Sequence, residues 1–335
     1  MNDREGNYLL IRRITKLKGE NKEMKIAIAG AGAMGSRFGL MLQKGGNDVT
    51  LIDGWKDHVE AIKENGLKAN FNGEDIVVDI PVVLQSEIND VEKVDLIVLF
   101  TKAMQLEKML EDIRPMIKDE TKVLCLLNGI GHEDIIEKFV PMKNIFIGNT
   151  MWTAGLEGPG RVKLFGSGSV ELQNLGDGQE EAAKELAETL AESGLNAKYS
   201  SNIHYSIYRK ACVNGTMNGL CTILDVNMAG LGRTSTAHDM VVAIVNEFGQ
   251  VAKAENIDLD VEEAVAHCET CFDPETIGMH FPSMHQDLIK NNRLTEIDYI
   301  NGAISRKGKK YGIATPYCDF LTALVHAKEQ ILEAK

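Results

Sequence analysis

The sequence predicts an α/β fold in which a doubly wound sheet is followed by an all-helical C-terminal region. Up to about residue 200, short apolar runs rich in β-forming residues alternate with helical patterns, and these runs are apolar throughout. Such runs are typical of a parallel sheet covered on both faces. From about residue 201 the strand-like runs disappear and helical patterns continue to Lys335. We therefore place a domain boundary near residue 200, which a chain of 335 residues allows.

The first predicted unit is a strand, a glycine turn and a helix in "MKIAIAGAGAMGSRFGLML", which begins at residue 24. The helix is expected to end near Gly45–Gly46, because glycine readily takes the left-handed conformation that ends helices. "DVTLID" predicts the second strand and "GWKDHVEAIKENG" the second helix. Residues 1–23 mix both charge signs and are predicted to form an N-terminal extension outside the fold, with a start at Met1 or at Met24 left open.

The remaining elements follow from the same patterns. "FNGEDIVVDIPVV" alternates around an Asn-Gly turn and predicts a hairpin. "DLIVLF", "KVLCLLN" and "NIFIGNT" predict further strands, and "QLEKMLEDIRPMI" predicts a helix between the first two. "RVKLFGSGSVELQNLG" predicts a second hairpin, and "QEEAAKELAETLAESG" a surface helix. Thr315–Pro316 is typical of an N-cap followed by proline at the first helical position.

The composition narrows the class of partner. Lys and Arg total 36 against 49 Asp and Glu, a formal charge of −13, which argues against nucleic acid or an anionic membrane. The six cysteines are scattered and no secretory signal precedes them, so we expect a cytoplasmic protein. The Cys268–Cys271 pair lacks the further ligands that a zinc site needs, so no metal is expected. No run approaches the roughly 18–20 apolar residues of a membrane span.

Gly30, Gly32 and Gly35 form a G-x-G-x-x-G turn between the first strand and the first helix, with Ala33 and Met34 inside it. In a Rossmann-type fold the first glycine makes the tight turn and the second lets the backbone approach a pyrophosphate. The third allows close packing of the helix, whose N-terminus faces the phosphates. The context therefore predicts a dinucleotide site; the alternative is a tight turn that binds nothing.

Asp53 ends the second strand, about 20 residues beyond the glycine turn, where such folds place the acid that binds the adenosine ribose. A carboxylate there repels a 2′-phosphate, so NAD is the predicted cofactor. Two alternatives stay open. Asp53 could be an N-cap for the next helix, and the nearby Lys56 could accommodate the phosphate of NADP.

Lys210, Asn214 and Asn218 recur every four residues in "YRKACVNGTMNGL". On an α-helix this spacing keeps them within an arc of about 80°. Asparagine is a poor residue for an exposed helix face, and the flanking residues are apolar. Since a buried polar stripe costs free energy unless it is satisfied, a bound polar ligand is the economical interpretation, with a solvated face as the alternative. Gly215 and Gly219 are expected to let something large approach the helix closely.

Four stretches resemble motifs of one known family. "YRKACVNGTMNGL" resembles the Lys-x-x-x-Asn-x-x-x-Asn helix of the ketopantoate reductase family. "PSMHQDLIKNNRLTEIDYINGAISRKGKKYGIATP" (282–316) is similar to its Ser-Met-x-x-Asp…Thr-Glu-Ile-Asp-Tyr-Ile-Asn-Gly signature. "TKAMQ" (101–105) and "LLNGIG" (126–131) are similar to two cofactor-side motifs. Together with the glycine turn, the resemblance runs from Met24 to about residue 330 in the same order.

The resemblance implies an enzyme that transfers hydride from a nicotinamide to C2 of a 2-oxo acid, giving a D-2-hydroxy acid. It implies that Lys210 is the general acid, that Glu296 orients Lys210, and that the protein is a homodimer. It also implies roles for the remaining motif residues: substrate binding for Asn214, Asn218 and Ser283; a position near both nicotinamide and substrate for Asn128; and cofactor binding for Lys102 and Gln105. Asp287 and Asp298 are expected to be structural.

Some of these residues have simpler interpretations. Ser283 could be an N-cap and Asn128 a turn residue. The chain also departs from the family pattern: the Asp287–Glu296 spacing is one residue longer, and Asp53 replaces the basic residue typical of NADPH-dependent members. His280 stands where some members place an asparagine, although it could be a packed loop residue.

These departures favour an NAD-dependent D-2-hydroxyacid (D-mandelate-type) dehydrogenase branch that acts on branched or aromatic 2-oxo acids. The alternatives are 2-dehydropantoate 2-reductase proper with NADPH, a β-hydroxyacid dehydrogenase, and a non-catalytic nucleotide-sensing protein.

Overall fold

The computed structural model describes residues 23–89 and 92–335. The predicted extension therefore lies outside the described residues, apart from residue 23. The twelve strands of the described residues are β1 (Lys25–Ala29), β2 (Asp48–Asp53), β3 (Leu67–Phe71), β4 (Glu74–Val78), β5 (Val82–Leu84), β6 (Leu96–Leu99), β7 (Lys122–Cys125), β8 (Ile145–Thr150), β9 (Thr153–Gly158), β10 (Arg161–Phe165), β11 (Val170–Asn174) and β12 (Ala197–Tyr199).

The α-helices are α1 (Ala33–Lys44), α2 (Lys56–Asn65), α3 (Leu106–Asp112), α4 (Glu133–Ile136), α5 (Glu180–Leu190), α6 (Ile203–Val213), α7 (Gly219–Leu224), α8 (Met228–Gly232), α9 (Ala237–Ala254), α10 (Val261–Thr270), α11 (Ser283–His285), α12 (Asn301–Tyr311) and α13 (Pro316–Ile331). None of the described helices is both long and apolar enough to cross a membrane.

The main sheet has eight strands in the order β12-β11-β8-β7-β6-β1-β2-β5. Six of them, from β8 to β5, run parallel, as the apolar runs predicted, and β11 lies antiparallel to β8. Alternate side chains enter two cores: Ile26 and Ile28 pack on the α1 and α5 side, and Ala27 and Ala29 pack on the α3 and α4 side. Both faces are therefore covered, which is why these strands are apolar throughout.

A second sheet has the order β4-β3-β10-β9. The predicted hairpin at the Asn-Gly turn is confirmed: β3 and β4 pair antiparallel, and Asn72 and Gly73 both have positive φ. The predicted hairpin over 161–176 is wrong. Its first strand, β10, pairs with β9 and β3, whereas its second, β11, joins the main sheet beside β8. The Gly166–Gly168 segment thus connects two sheets rather than closing a turn.

All elements described after Tyr199 are helical, in agreement with the predicted α/β-then-helical order. They share one core, in which Tyr208, Phe248, Ile304 and Val325 are buried. Helices α6 and α7 form one continuous rod, joined by a π-turn over Asn214–Asn218. A second π-turn, Gln286–Lys290, follows α11. Neither π-turn was predicted.

Two predicted helix ends can be compared with the structure. Helix α1 ends at Lys44 and Gly46 has φ +92°, as expected. Helix α13 begins at Pro316, but the Thr315 side chain makes no capping hydrogen bond. Instead the buried Glu247 carboxylate accepts hydrogen bonds from the backbone N–H groups of Tyr317 and Cys318, each at 2.8 Å.

Candidate active site

The glycine turn joins β1 to α1 at the carboxyl edge of the main sheet. Gly30 has φ +100°, and a Cβ there would lie 2.4 Å from the Thr101 backbone nitrogen. A Cβ on Gly35 would lie 1.8 Å from the Gly30 carbonyl oxygen. The first and third glycines are thus required by the protein's own packing, as the sequence pattern predicts.

Gly32 differs from these two glycines. A Cβ at this position would meet no heavy atom within 4 Å, and its φ of −57° is open to any residue. Packing therefore gives no reason for glycine here. The residue stands at the N-cap of α1, whose first N–H groups point away from the helix and attract anions. The half-buried Ala33 and Met34 form the first turn. This arrangement fits a dinucleotide pyrophosphate.

Asp53 ends β2 beside this turn. Its carboxylate accepts hydrogen bonds from the Ala31 N–H and the Trp55 N–H, both at 2.8 Å. The N-cap of α2 is Trp55, so Asp53 orders the turn before the helix rather than capping the helix itself. Each carboxylate oxygen has a further lone pair, so Asp53 can also accept from a ribose hydroxyl. Lys56 is paired with Glu60 at 3.5 Å on the exposed face of α2.

Lys210 reaches the sheet from the last turn of α6. Its Nζ donates to the Thr150 carbonyl oxygen at 2.9 Å, and Thr150 is the last residue of β8. The side chain is half-buried, and desolvation lowers the pKa of its ammonium from the usual 10.5 to about 8. Lys210 is thus directed at the carboxyl edge of the sheet rather than into solvent, with a pKa suited to proton transfer near neutral pH.

The π-turn begins one turn beyond Lys210 and carries Asn214 and Asn218. A π-turn closes i→i+5 hydrogen bonds and is frequent at functional sites. It therefore changes the angular spacing that an α-helix would give the two carboxamides. Asn218 is buried and Asn214 half-buried, so the predicted solvated-face alternative does not describe them.

The two glycines of this stretch let large side chains approach the rod closely, as expected. A Cβ on Gly215 would lie 2.5 Å from the Phe248 ring, and one on Gly219 would lie 2.6 Å from the Leu321 side chain. The close approach that these glycines permit comes from neighbouring helices, not from a ligand. The glycines lie on the core side of the rod.

Four predicted residues line one small cavity: Asn128, Asn218, Ser283 and Glu296. The Ser283 hydroxyl donates to the Asn218 side-chain oxygen at 3.5 Å. Ser283 makes no capping hydrogen bond and Pro282 is the N-cap of α11, so its side chain is not a helix cap.

Asn128 follows β7 and precedes Gly129, whose φ is +103°. The next residue, Ile130, donates to the Tyr299 carbonyl oxygen at 2.9 Å, which ties this loop to the helical region. Asn128 therefore lies in the loop after β7 and faces the cavity.

The Glu296 carboxylate has other partners than the resemblance implied. Among the described residues, this carboxylate accepts hydrogen bonds from the Ala103 N–H at 2.9 Å and from the Lys102 ammonium at 3.5 Å. The Lys210 ammonium donates instead to the Thr150 carbonyl oxygen. The expected contact between Glu296 and Lys210 is thus not formed in this structure. The physical reason is that the β6–α3 loop presents both a free N–H and an ammonium to the carboxylate, and these two donors satisfy it.

Lys102 bridges two carboxylates of the helical region, Asp287 at 2.7 Å and Glu296 at 3.5 Å. Burial lowers the pKa of Lys102, but the two negative charges outweigh it and raise that pKa overall. Asp287, which was expected to be structural only, therefore belongs to the polar cluster at the cavity. Its place in the Ser-Met-x-x-Asp motif was the sequence signal for this.

Asn301 is a further residue that sequence reasoning missed. It is fully buried, and its Nδ2 donates at 3.0 Å to the Gly215 carbonyl oxygen inside the π-turn. It therefore supports the turn that positions Asn218. Gln105 and His280 are exposed, the former at the start of α3 and the latter in the loop before α11. No group of three or more His, Cys, Asp or Glu side chains in the described part of the chain could hold a metal ion.

Comparison with known proteins bears on this geometry. Residues 26–177 match the family described as ketopantoate reductase PanE/ApbA, and residues 202–329 match its C-terminal part. The chain belongs to the ketopantoate reductase family. It is thus an NAD(P)-dependent oxidoreductase acting on a CH–OH group, as the motifs had indicated.

The relatives carry two names. The 2-dehydropantoate 2-reductase of Lactococcus lactis subsp. lactis is 77% identical over 312 residues, 93% of this chain and 100% of the relative. That of Streptococcus pyogenes is 50% identical over 309 residues, covering 92% and 99%. The ternary structure of D-mandelate dehydrogenase with NADH and anilino(oxo)acetate is 78% identical, with a TM-score of 0.90 over 93% of this chain and 100% of that chain. These relatives support the family assignment and the dehydrogenase branch predicted above.

Proposed function

We propose that the protein is an NADH-dependent D-2-hydroxyacid dehydrogenase that reduces a branched or aromatic 2-oxo acid. The observation that carries the proposal is the position of Lys210, whose ammonium donates to the Thr150 carbonyl oxygen at the edge of the sheet. Burial lowers the pKa of this ammonium to about 8. The similarity to D-mandelate dehydrogenase, whose solved complex contains NADH and an aryl-amino 2-oxo acid, supports the choice of substrate class.

When bound, the dinucleotide would supply a hydride to C2 of the 2-oxo acid, whose carbonyl oxygen must then take up one proton. We assign that proton to the Lys210 ammonium, which also stabilises the negative charge that grows on the oxygen during the transfer. The substrate carboxylate is assigned to the carboxamides of Asn214 and Asn218 and the Ser283 hydroxyl. Asn128 is assigned to the boundary between substrate and nicotinamide.

The cofactor is held by the chain's N-terminal side. Gly30, Gly32 and Gly35 shape the pyrophosphate turn, and the N–H groups of Ala33 and Met34 add the positive end of the α1 dipole. Asp53 is proposed to favour NAD, because a carboxylate after the second strand of such a fold repels a 2′-phosphate. Lys102 and Gln105 are assigned to the nicotinamide side of the same cofactor.

Closure of the helical region (201–335) onto the α/β region (24–200) would complete the site. We place the domain boundary between residues 200 and 201, with the cavity residues contributed from both sides. In the reactive complex Glu296 is proposed to leave the Ala103 N–H and approach Lys210, which would hold Lys210 charged. We also propose a homodimer, which light scattering of the purified protein would test.

2-Dehydropantoate 2-reductase proper is the second candidate, because the curated relatives at 77% and 50% identity carry that name. Steady-state rates with NADH and with NADPH, each against ketopantoate, 2-oxoisocaproate and phenylglyoxylate, separate the two. We expect NADH with the branched or aromatic acid to give the highest kcat/KM. A tenfold advantage for NADPH with ketopantoate would reject the first candidate in favour of the second.

A further inference from the structure

Trp55 lies in the turn between β2 and α2, close to the glycine turn. It lies two residues after Asp53 and is 38% exposed. Its ring is parallel to that of His58, with 5.5 Å between the centroids and 9° between the planes. One face of the indole is therefore covered by the imidazole. The exposed fraction leaves the rest of the indole open to a second planar partner.

His58 is held rigidly beneath the indole. It is fully buried, and its Nδ1 accepts a hydrogen bond from the Gly160 N–H at 3.0 Å. Because that N–H can only donate, Nδ1 is the acceptor of this pair, and the Nε2–H of the ring donates to the Ala31 carbonyl oxygen at 2.9 Å. The plane of the ring is thus fixed relative to the glycine turn, since Ala31 lies between Gly30 and Gly32.

The Trp55 backbone is fixed as well, because its N–H donates to Asp53 Oδ1 at 2.8 Å while Asp53 Oδ2 accepts from Ala31. The acid, the glycine turn and the indole are therefore tied into one network. An aromatic ring that is ordered before binding loses little entropy when a ligand stacks on it.

We propose that Trp55 is the platform on which the adenine ring of the dinucleotide stacks. The inference rests on the proposed cofactor site. If Asp53 binds the adenosine ribose and the glycine turn binds the pyrophosphate, the base must lie beyond the ribose, on the side of Asp53 away from the phosphates. Trp55 lies in the β2–α2 turn, two residues after Asp53. Stacking involves only the face of the adenine ring, which NADH and ADP-ribose share. It should therefore increase the affinity for both ligands.

The chain's two tryptophans, Trp55 and Trp152, allow a clean test. Trp152 is a matched control: its Nε1 donates to the Leu195 carbonyl oxygen at 2.8 Å, and the Arg37 guanidinium lies 4.4 Å from its ring. In a Trp152→Phe variant all tryptophan emission comes from Trp55. We would titrate the parent, Trp55→Ala, Trp55→Phe and Trp152→Phe with ADP-ribose, following tryptophan fluorescence and the heat of binding.

We expect ADP-ribose to quench the emission of Trp152→Phe. Trp55→Ala should weaken ADP-ribose binding about tenfold. Trp55→Phe should weaken it less than about threefold, because phenylalanine keeps a stacking face, and nicotinamide mononucleotide should bind all variants equally. ADP-ribose binding by Trp55→Ala within about twofold of the parent would overturn the inference.

The remaining outcomes are also decisive. If Trp55→Ala does not fold, an unchanged Trp55 emission in Trp152→Phe at saturating ADP-ribose overturns the inference by itself. If the parent binds neither NADH nor ADP-ribose, the proposed cofactor site fails and the inference falls with it. Retained binding without Trp55 therefore rejects the stacking platform alone and leaves the proposed function standing.

Discussion

The pH dependence of the reduction rate should follow the pKa of the general acid, Lys210. The Lys210 ammonium is placed against the Thr150 carbonyl, and desolvation lowers its pKa from 10.5 to about 8. That change corresponds to roughly 3 kcal/mol disfavouring the charged form. Because reduction needs the charged form, its rate should fall as pH rises through 8. The reverse oxidation needs the neutral amine and should rise over the same range.

The expected size follows from the protonated fraction. Relative to the plateau near pH 6–7, kcat/KM for the 2-oxo acid should be about tenfold lower at pH 9 and about a hundredfold lower at pH 10. The assay is NADH oxidation followed by absorbance at constant ionic strength. The kcat/KM profile reports the free enzyme, which is the state in which Lys210 has the Thr150 partner.

Lys210→Arg is the matched control, since guanidinium stays charged throughout this range. It should be slower than the parent but should lack the inflection near pH 8. A parent profile that stays flat to pH 10 would refute the reasoning. An inflection that persists unchanged in Lys210→Arg would assign it to another group.

Four further outcomes are expected. Gly32→Ala should keep the free energy of unfolding within about 1 kcal/mol of the parent's, because the new Cβ meets no protein atom. The same variant should raise the NADH dissociation constant, measured by calorimetry, at least tenfold. In Gly35→Ala the Cβ would lie 1.8 Å from a carbonyl oxygen. This variant should therefore lose both folding stability and NADH affinity, measured by calorimetry. Glu247→Gln should cost about 1–3 kcal/mol in urea unfolding, since an amide oxygen cannot replace both acceptors of the α13 cap; equal stability would contradict that cap. Glu296→Gln should lower kcat about ten- to a hundredfold with NADH affinity unchanged, and an unchanged kcat would remove Glu296 from the mechanism.

The elements near the glycine turn could be predicted from the sequence because their causes are local. A positive φ at Gly30, the Asn-Gly turn before β4 and the end of α1 at Lys44 each depend on a few neighbouring residues. The alternation of Ile26 with Ala27 likewise reflects a strand buried on both faces. In these cases the local pattern and the final environment agree.

The features that could not be predicted depend on contacts distant in sequence. The π-turn over 214–218 is held in part by Asn301, and Gly215 faces Phe248, which no spacing within the helix reveals. The 161–174 segment contains two strand patterns joined by glycines, but each strand finds its partner in a different sheet. The carboxylate of Glu296 was assigned by resemblance to Lys210, whereas the β6–α3 loop offers it nearer donors.

The most direct test of the account compares the parent with Lys210→Ala under NADH saturation, with phenylglyoxylate as the oxidant. We expect the variant to bind NADH as tightly as the parent and to reduce the acid at least a hundredfold more slowly in a single turnover, with partial recovery when a primary amine is added to the buffer. Equal single-turnover rates in the two proteins would contradict the claim that the Lys210 ammonium delivers the proton.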